Sequence, residues 1–63
     1  MKKYYAYVTK DMRHYYEYEL KRHGVIIISR ELVKDIHDGE ELYYYIVKAK
    51  DGIIDPKWEI EGA

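Results

Sequence analysis

Tyrosine content is the feature that most constrains the fold of this chain. Its 63 residues include nine tyrosines and no phenylalanine. A tyrosine ring adds a large apolar surface, but its hydroxyl must stay hydrogen-bonded or in water, so tyrosines suit the boundary between core and solvent. A chain of this length buries only about 60% of the surface that its unfolded form exposes. We therefore expect several tyrosines to lie at an interface, where this residue is enriched among the energetic anchors.

The chain also lacks the covalent and metal links that stabilise many small domains. It contains no cysteine, and His14, His23 and His37 do not have the spacing of a structural metal site. No repeat, linker or low-complexity stretch divides the sequence, so we expect a single domain over residues 1–63, with no metal and no cofactor. Self-association or a well-filled core is therefore needed for stability.

Several segments have the alternation or the β-branched content of strands. Lys3 to Thr9 and Glu41 to Ala49 place tyrosines on both of their faces. Val25 to Ile28 is apolar on both faces, which predicts a central strand. His14 to Lys21 also alternates and is predicted to be a strand, although a helix competes because its apolar residues also fit a helical stripe.

One short helix and a final strand complete the predicted fold. Ser29 suits a helix N-cap and Gly39 a helix end, so we predict about two helical turns between them. The Asp-Gly pair at 51–52 predicts a tight turn into a last strand, Ile54 to Glu61, which Pro56 places at a sheet edge. The expected class is α+β, a mostly antiparallel sheet of about five strands with one short helix, in the order β-β-β-α-β-β.

Formal charge is divided unevenly along the chain, although the net charge is −1. Residues 1–30 carry +4 and residues 31–63 carry −5. Opposite signs in the two halves favour charge pairing within the chain or between copies of it. Two alternatives stay open. The first half could form a basic face that binds nucleic acid, or the second half an acidic face that imitates the nucleic-acid backbone, although the density of acidic residues is modest.

Residues that could carry out catalysis are few. Ser29 is the single serine and falls at the predicted helix cap, and there is no cysteine nucleophile. Acid–base groups can be drawn around His14 or His37, but each is better explained as a solvated surface residue. No glycine-rich phosphate loop is present, and a domain of this size rarely forms a substrate pocket. We expect no enzymatic activity.

Aromatic residues of the predicted strands are the candidate binding residues. They are Tyr16, Tyr18, Tyr43, Tyr45 and Trp58. One short helix covers only one face of a sheet, and a second copy of the chain is the simplest cover for the other. We expect a homodimer that docks on a protein partner through a tyrosine-rich sheet face.

Two other functions stay open. The first is a small regulator that binds single-stranded nucleic acid, since Lys3, Lys10 and Arg22 accompany aromatic residues in the basic first half. The acidic second half and the absence of a diagnostic motif weigh against it. The second is a structural or assembly subunit, for which the sequence offers the same support as for a docking protein.

The tyrosine-paired segments Tyr4 to Val8 and Tyr43 to Val47, the Met-Lys-Lys start and the abundance of Tyr, Lys, Ile and Glu resemble small proteins of bacteriophages that infect Gram-positive bacteria. Several of those proteins inhibit host or defence systems. Within that group the chain as a whole looks most like the very short inhibitors of the Hachiman defence system, a helicase–nuclease system. The resemblance implies a protein that binds and blocks a bacterial immune complex, and it assigns no individual functional residue.

No stretch of the sequence suits a signal peptide or a membrane span. The longest uninterrupted aliphatic run is Val25 to Ile28, far shorter than either segment requires. We therefore expect a cytoplasmic protein with no membrane contact, in the host cell if a phage encodes it.

Overall fold

The computed structural model describes residues 1–60, which form one three-stranded sheet, one α-helix and two short 3-10 turns. The strands are β1 (Lys2–Thr9), β2 (Ile26–Lys34) and β3 (Glu41–Ala49), the helix is α1 (Arg13–Arg22), and the 3-10 turns are Lys10–Met12 and Pro56–Trp58. Both strand pairs are antiparallel and the sheet order is β1-β3-β2, so β3 lies in the centre.

Helix α1 packs on one face of the sheet, which we call the covered face. Tyr4 of β1 and Val47 of β3 are direct neighbours on this face, and Leu20 of the helix belongs to the same buried cluster. The core comprises Tyr4, Leu20, Val25, Tyr45, Val47 and Ala49. β3 supplies three of these six residues because its central position gives it a neighbour on each side.

The strand predicted over His14 to Lys21 is wrong, since these residues lie in α1. The competing helical stripe is the correct interpretation. Tyr16 and Leu20, four residues apart, face the sheet, and Leu20 is buried. Tyr15 and Tyr18 face solvent, each with 60% of its surface exposed. Burial of one helical stripe thus outweighs the modest helix propensity of tyrosine.

The helix predicted between Ser29 and Gly39 is also wrong. β2 continues through Ser29 to Lys34, and Ser29 pairs with Ile46 of β3. The β-branched run before Ser29 has already begun the strand, and cross-strand pairing with β3 carries it on past a register shift at Ile28. Gly39 does mark a turn, with φ of +73°, but the turn joins β2 to β3.

The predicted last strand is wrong as well. Asp55 accepts a hydrogen bond from the Lys57 amide at 3.0 Å and begins the 3-10 turn Pro56–Trp58. Beyond that turn, Glu59 forms a single bridge with Tyr4. Glu61, predicted to end this strand, lies outside the described residues.

The expected sheet of about five strands in the order β-β-β-α-β-β is therefore corrected to three strands in the order β-α-β-β. The α+β class is confirmed, as is the antiparallel pairing. The strand predicted over Glu41 to Ala49 has the bounds of β3. In the part of the chain that the structure describes, no helix is long and apolar enough to cross a membrane.

Candidate functional site

No helix or strand among residues 1–60 covers the face of the sheet opposite α1, which we call the open face. Strand register assigns its residues, because side chains directly opposite each other in an antiparallel pair share a face. From β1 and β3 they are Lys3, Tyr5, Tyr7, Thr9, Leu42, Tyr44, Ile46 and Lys48. From β2 they are Ile26, Ser29, Glu31 and Val33. The face is mostly apolar or aromatic and accessible to a partner.

Four aromatic rings form a contiguous group on and beside this face, the aromatic cluster, which comprises Tyr5, Tyr7, Tyr44 and Trp58. Tyr7 and Tyr44 are cross-strand neighbours whose ring centroids lie 4.9 Å apart. Tyr5 lies 6.3 Å from Tyr7 and 5.4 Å from Trp58, with edge-to-face geometry in both pairs. Tyr7 is 56% exposed and Trp58 is 38% exposed. The cluster thus presents a large, pre-formed aromatic surface to solvent.

The charges beside the aromatic cluster are sparse and of both signs. Lys3 and Lys48 face each other at one end of the open face, and Glu31 lies next to Tyr44 further along it. The Lys57 ammonium lies 5.4 Å from the centre of the Trp58 ring. This arrangement suits a partner surface that is aromatic or apolar at its centre and polar at its rim.

Two concave regions border the aromatic cluster. The larger, of about 490 Å³, opens beside Tyr7 and is lined also by Val33, Lys34, Asp35, Ile36 and Leu42. The smaller, of about 240 Å³, lies on the other side and is lined by Tyr5, Ala6, Tyr16, Leu20, Ile53, Ile54 and Trp58. Each could receive an apolar side chain of a partner, since energetic anchors at interfaces commonly fill such pockets.

The covered face holds a partly buried polar network instead. One oxygen of Glu17, Oε2, accepts hydrogen bonds from the Tyr45 hydroxyl at 2.5 Å, from Arg30 at 2.8 Å and from Arg13 at 3.2 Å. Both guanidinium groups also lie close to the Tyr43 ring, whose centre is 5.3 Å from that of Arg13 and 5.4 Å from that of Arg30. The network links α1 to β2 and β3, so its role is to hold the helix on the sheet.

The pKa values of Glu17 and Tyr45 in this network are both shifted away from neutral pH. The hydrogen bond from Tyr45, followed by those from Arg30 and Arg13, lowers the pKa of Glu17 from 4.5 to about 2. Burial, together with the adjacent Glu17 carboxylate, raises the pKa of Tyr45 well above its usual value. A general acid or base works best with a pKa near the operating pH. Neither group therefore suits proton transfer at neutral pH.

The five predicted binding residues separate into three locations. Tyr16, Tyr43 and Tyr45 lie on the covered side and contact one another, with ring centroids 5.0 Å apart for Tyr16 and Tyr45 and 6.4 Å apart for Tyr43 and Tyr45. Tyr45 is fully buried and inaccessible to a partner. Tyr18 is exposed on α1, and Trp58 is the one predicted residue that joins the aromatic cluster.

Tyr5, Tyr7 and Tyr44 were missed as candidate residues by sequence reasoning. Alternation does place Tyr5 and Tyr7 on one side of β1, and it separates Tyr44 from Tyr43 and Tyr45. No sequence signal says which side of each strand the helix covers. Because the residues of α1 were predicted to form a strand, the sequence did not show which of the two tyrosine-rich faces of the sheet a helix covers.

No family model, curated protein or solved structure matches this chain. Its fold and surface define it as a small α+β domain, in which an antiparallel sheet carries one helix on its covered face and an aromatic cluster on its open face.

Proposed function

We propose that this chain is a non-catalytic binding protein that docks on another protein through its open face. The observation that carries the proposal is the aromatic cluster of Tyr5, Tyr7, Tyr44 and Trp58, pre-formed and accessible on an uncovered sheet face. Tyrosine and tryptophan supply large contact areas at a small cost in side-chain entropy and dominate the binding energy of many interfaces.

The proposed partner is a bacterial host or defence protein, and the proposed compartment is the bacterial cytoplasm. This part of the proposal rests on the resemblance to small phage proteins that inhibit bacterial defence. Docking alone would be enough for such a role, because a bound domain can block a surface or a movement of its partner without chemistry. The aromatic cluster and the concave region beside Tyr7 form a surface suited to that task.

Capture from a bacterial lysate tests the proposal. Tagged wild-type chain and the Tyr7→Ala variant are compared, with Tyr15→Ala as the matched control, because Tyr15 is also exposed but lies on the helix. We expect one host or defence complex to be captured by the wild type and by Tyr15→Ala, and at least about tenfold less of it by Tyr7→Ala. Equal capture by Tyr7→Ala would refute the open face as the docking surface, and capture of virion components alone would point to an assembly subunit.

A second candidate function is binding of single-stranded nucleic acid, favoured by one observation. Lys3, Lys48 and Lys57 lie beside the aromatic cluster, and the Lys57 ammonium stacks on the Trp58 ring. Bases can stack on such rings while ammonium groups contact the phosphates. Fluorescence anisotropy with an oligothymidine probe tests this function. Affinity that falls steeply with salt supports it, and no binding at low salt removes it.

The homodimer expected from the sequence stays a prediction, and the open face is where a second copy would pack. Lys3 and Lys48 lie towards one end of this face and Glu31 lies towards the other. Two sheets related by a two-fold axis across the strands would place the lysine end of one copy near the glutamate of the other. Dimer formation would then compete with partner docking.

A further inference from the structure

The two edges of the sheet differ in pairing, since among residues 1–60 only the edge of β1 pairs with another segment, and it does so at Lys3 and Tyr4. At the outer edge of β1, Glu59 bridges to Tyr4 and the Ile60 amide donates to the Lys3 carbonyl at 2.9 Å. Among residues 1–60, no segment pairs with the outer edge of β2. β2 is nine residues long and exposes apolar side chains there, with Ile26 at 52% and Leu32 at 47%. The unpaired N–H and C=O groups of such an edge are a template on which another strand can pair, and the charged residues of the edge restrict which strands fit it.

The charges of β2 disfavour pairing with β2 of a second copy. In a two-fold antiparallel pair, the axis passes midway between one residue, the centre, and its own copy. Residues at equal distances before and after the centre then lie directly opposite each other. For every centre from Arg30 to Lys34, like charges become neighbours. The opposed pairs are Arg30 with Arg30, Glu31 with Glu31, Arg30 with Lys34, Glu31 with Asp35, and Lys34 with Lys34. Like charges directly opposite are destabilising.

Pairing centred closer to the start of β2 is disfavoured for a different reason. The register with β3 shifts between Ile27 and Ser29, so the side chains before and after the shift are out of phase. A two-fold pair centred there would place residues of opposite faces against each other. The edge is therefore open to a strand, but a second copy is a poor match for it.

We propose that the outer edge of β2 accepts an extended segment of a different protein as an added antiparallel strand. The charges on the edge define the chemistry of that segment. A carboxylate belongs opposite Lys34, apolar side chains opposite Val33 and Leu32, and a basic side chain opposite Glu31. Arg30 already donates to Glu17 at 2.8 Å, so the position opposite Arg30 needs only to carry no positive charge.

Main-chain hydrogen bonds would give this interaction its affinity and the charge pattern its register. The inference does not depend on the open face, because it concerns the edge of the sheet. If Tyr7→Ala still captured the partner, the proposal for the β2 edge would be unaffected. If the peptides failed to protect β2, the proposal for the open face would be unaffected.

Amide hydrogen exchange measured by NMR on the full chain tests the proposal with capped synthetic peptides. The test peptide contains the run Glu-Val-Val-Lys-Thr, and the control peptide contains Lys-Val-Val-Glu-Thr, with the two charges exchanged. At a peptide concentration ten times Kd, we expect outward-facing amides of residues 26–34 to exchange about tenfold more slowly with the test peptide. The control peptide should give no protection.

A charge swap establishes the register. In Glu31→Lys, the test peptide should lose its protection, and a peptide containing Glu-Val-Val-Glu-Thr should regain it. Asp11→Lys makes the same change of charge at an exposed site in the 3-10 turn after β1 and should behave as wild type.

Three results would overturn the proposal. The first is equal protection by the test and control peptides, and the second is no protection of β2 at millimolar peptide. The third is protection without peptide that grows with protein concentration, which would identify a second copy as the occupant.

Discussion

The two faces of the sheet have similar residue types in different surroundings. On the covered face, the Tyr45 hydroxyl donates to Glu17, and the Tyr43 ring contacts both Arg13 and Arg30. On the open face, the rings of Tyr7 and Tyr44 contact other rings and remain accessible to solvent. A tyrosine that has a polar partner beneath a helix stabilises the fold, whereas one without such cover is left accessible to a partner.

Removal of the Tyr45 ring should have the largest effect on folding. Tyr45→Ala leaves a large cavity in the core and leaves Glu17 without one of its donors, so we expect a loss of about 3–5 kcal/mol in the free energy of unfolding. That is a large part of the total for a domain of this size. Urea denaturation followed by circular dichroism measures it. A loss below about 1 kcal/mol would show that the covered face is not the core.

Glu17→Gln should have the next largest effect, and its effect should depend on pH. Because the pKa of Glu17 is lowered from 4.5 to about 2 in the folded state, its charge stabilises the fold above pH 4.5, and this stabilisation is lost as pH falls towards 2. We expect the variant to be less stable by about 2 kcal/mol at pH 7, with a flatter stability profile between pH 4.5 and 2.

Glu19→Gln is the matched control for that experiment. Glu19 lies in the same helix, and its neighbours are Arg22 and His23 at 3.8 and 3.5 Å, on side chains that are mostly exposed. Exposed ion pairs contribute little to stability. If Glu19→Gln changed the acid profile as much as Glu17→Gln, the network on the covered face would not be its source.

Self-association through the open face should make the melting temperature depend on concentration. For a folded dimer, each tenfold increase in protein concentration adds about 1.4 kcal/mol to the apparent stability. Light scattering over a dilution series, with a thermal melt at each concentration, measures both properties. A concentration-dependent dimer that Tyr44→Ala disrupts would place the second copy on the open face, and a monomer at every concentration would leave that face free for the partner.

Tyr7→Ala should have the smallest effect on folding. Tyr7 is 56% exposed and contributes a cross-strand aromatic pair, so we expect a loss of at most about 1 kcal/mol in the free energy of unfolding. Thermal melts of Tyr7→Ala and Tyr15→Ala, both exposed tyrosines, give the comparison. A loss as large as that of Tyr45→Ala would mean that the aromatic cluster is part of the core.

Local pattern predicted β1 and β3 but failed for the helix and the last strand. It was also wrong on the position of Val25 to Ile28, which we expected to form a central strand but which leads into the edge strand β2. Glu41 to Ala49 alternates without ambiguity and forms β3. His14 to Lys21 fits both periods, and only the position of Tyr16 and Leu20 against the sheet decides for a helix. Ser29 resembled a helix cap, but the register with β3 extends β2 through it. These decisions depend on contacts between distant segments, which a local pattern does not contain.

The position of the candidate site could not be predicted from the sequence. We expected a tyrosine-rich surface because a short chain has too small an interior to bury nine tyrosine rings. The position depended on which face α1 covers, so Tyr16, Tyr43 and Tyr45 were favoured, whereas Tyr7 and Tyr44 lie on the open face.

Tyr44 and Tyr45 offer the most direct test, because they are consecutive residues on opposite faces of β3. The measurement is partner capture together with the free energy of unfolding, made on Tyr44→Ala and on Tyr45→Phe, which keeps its ring. We predict that Tyr44→Ala loses capture at least about tenfold with a change in stability within about 1 kcal/mol. Tyr45→Phe should lose about 1–3 kcal/mol and keep its capture where it is folded. Full capture by Tyr44→Ala, or loss of capture by folded Tyr45→Phe, would contradict the separation of the two faces.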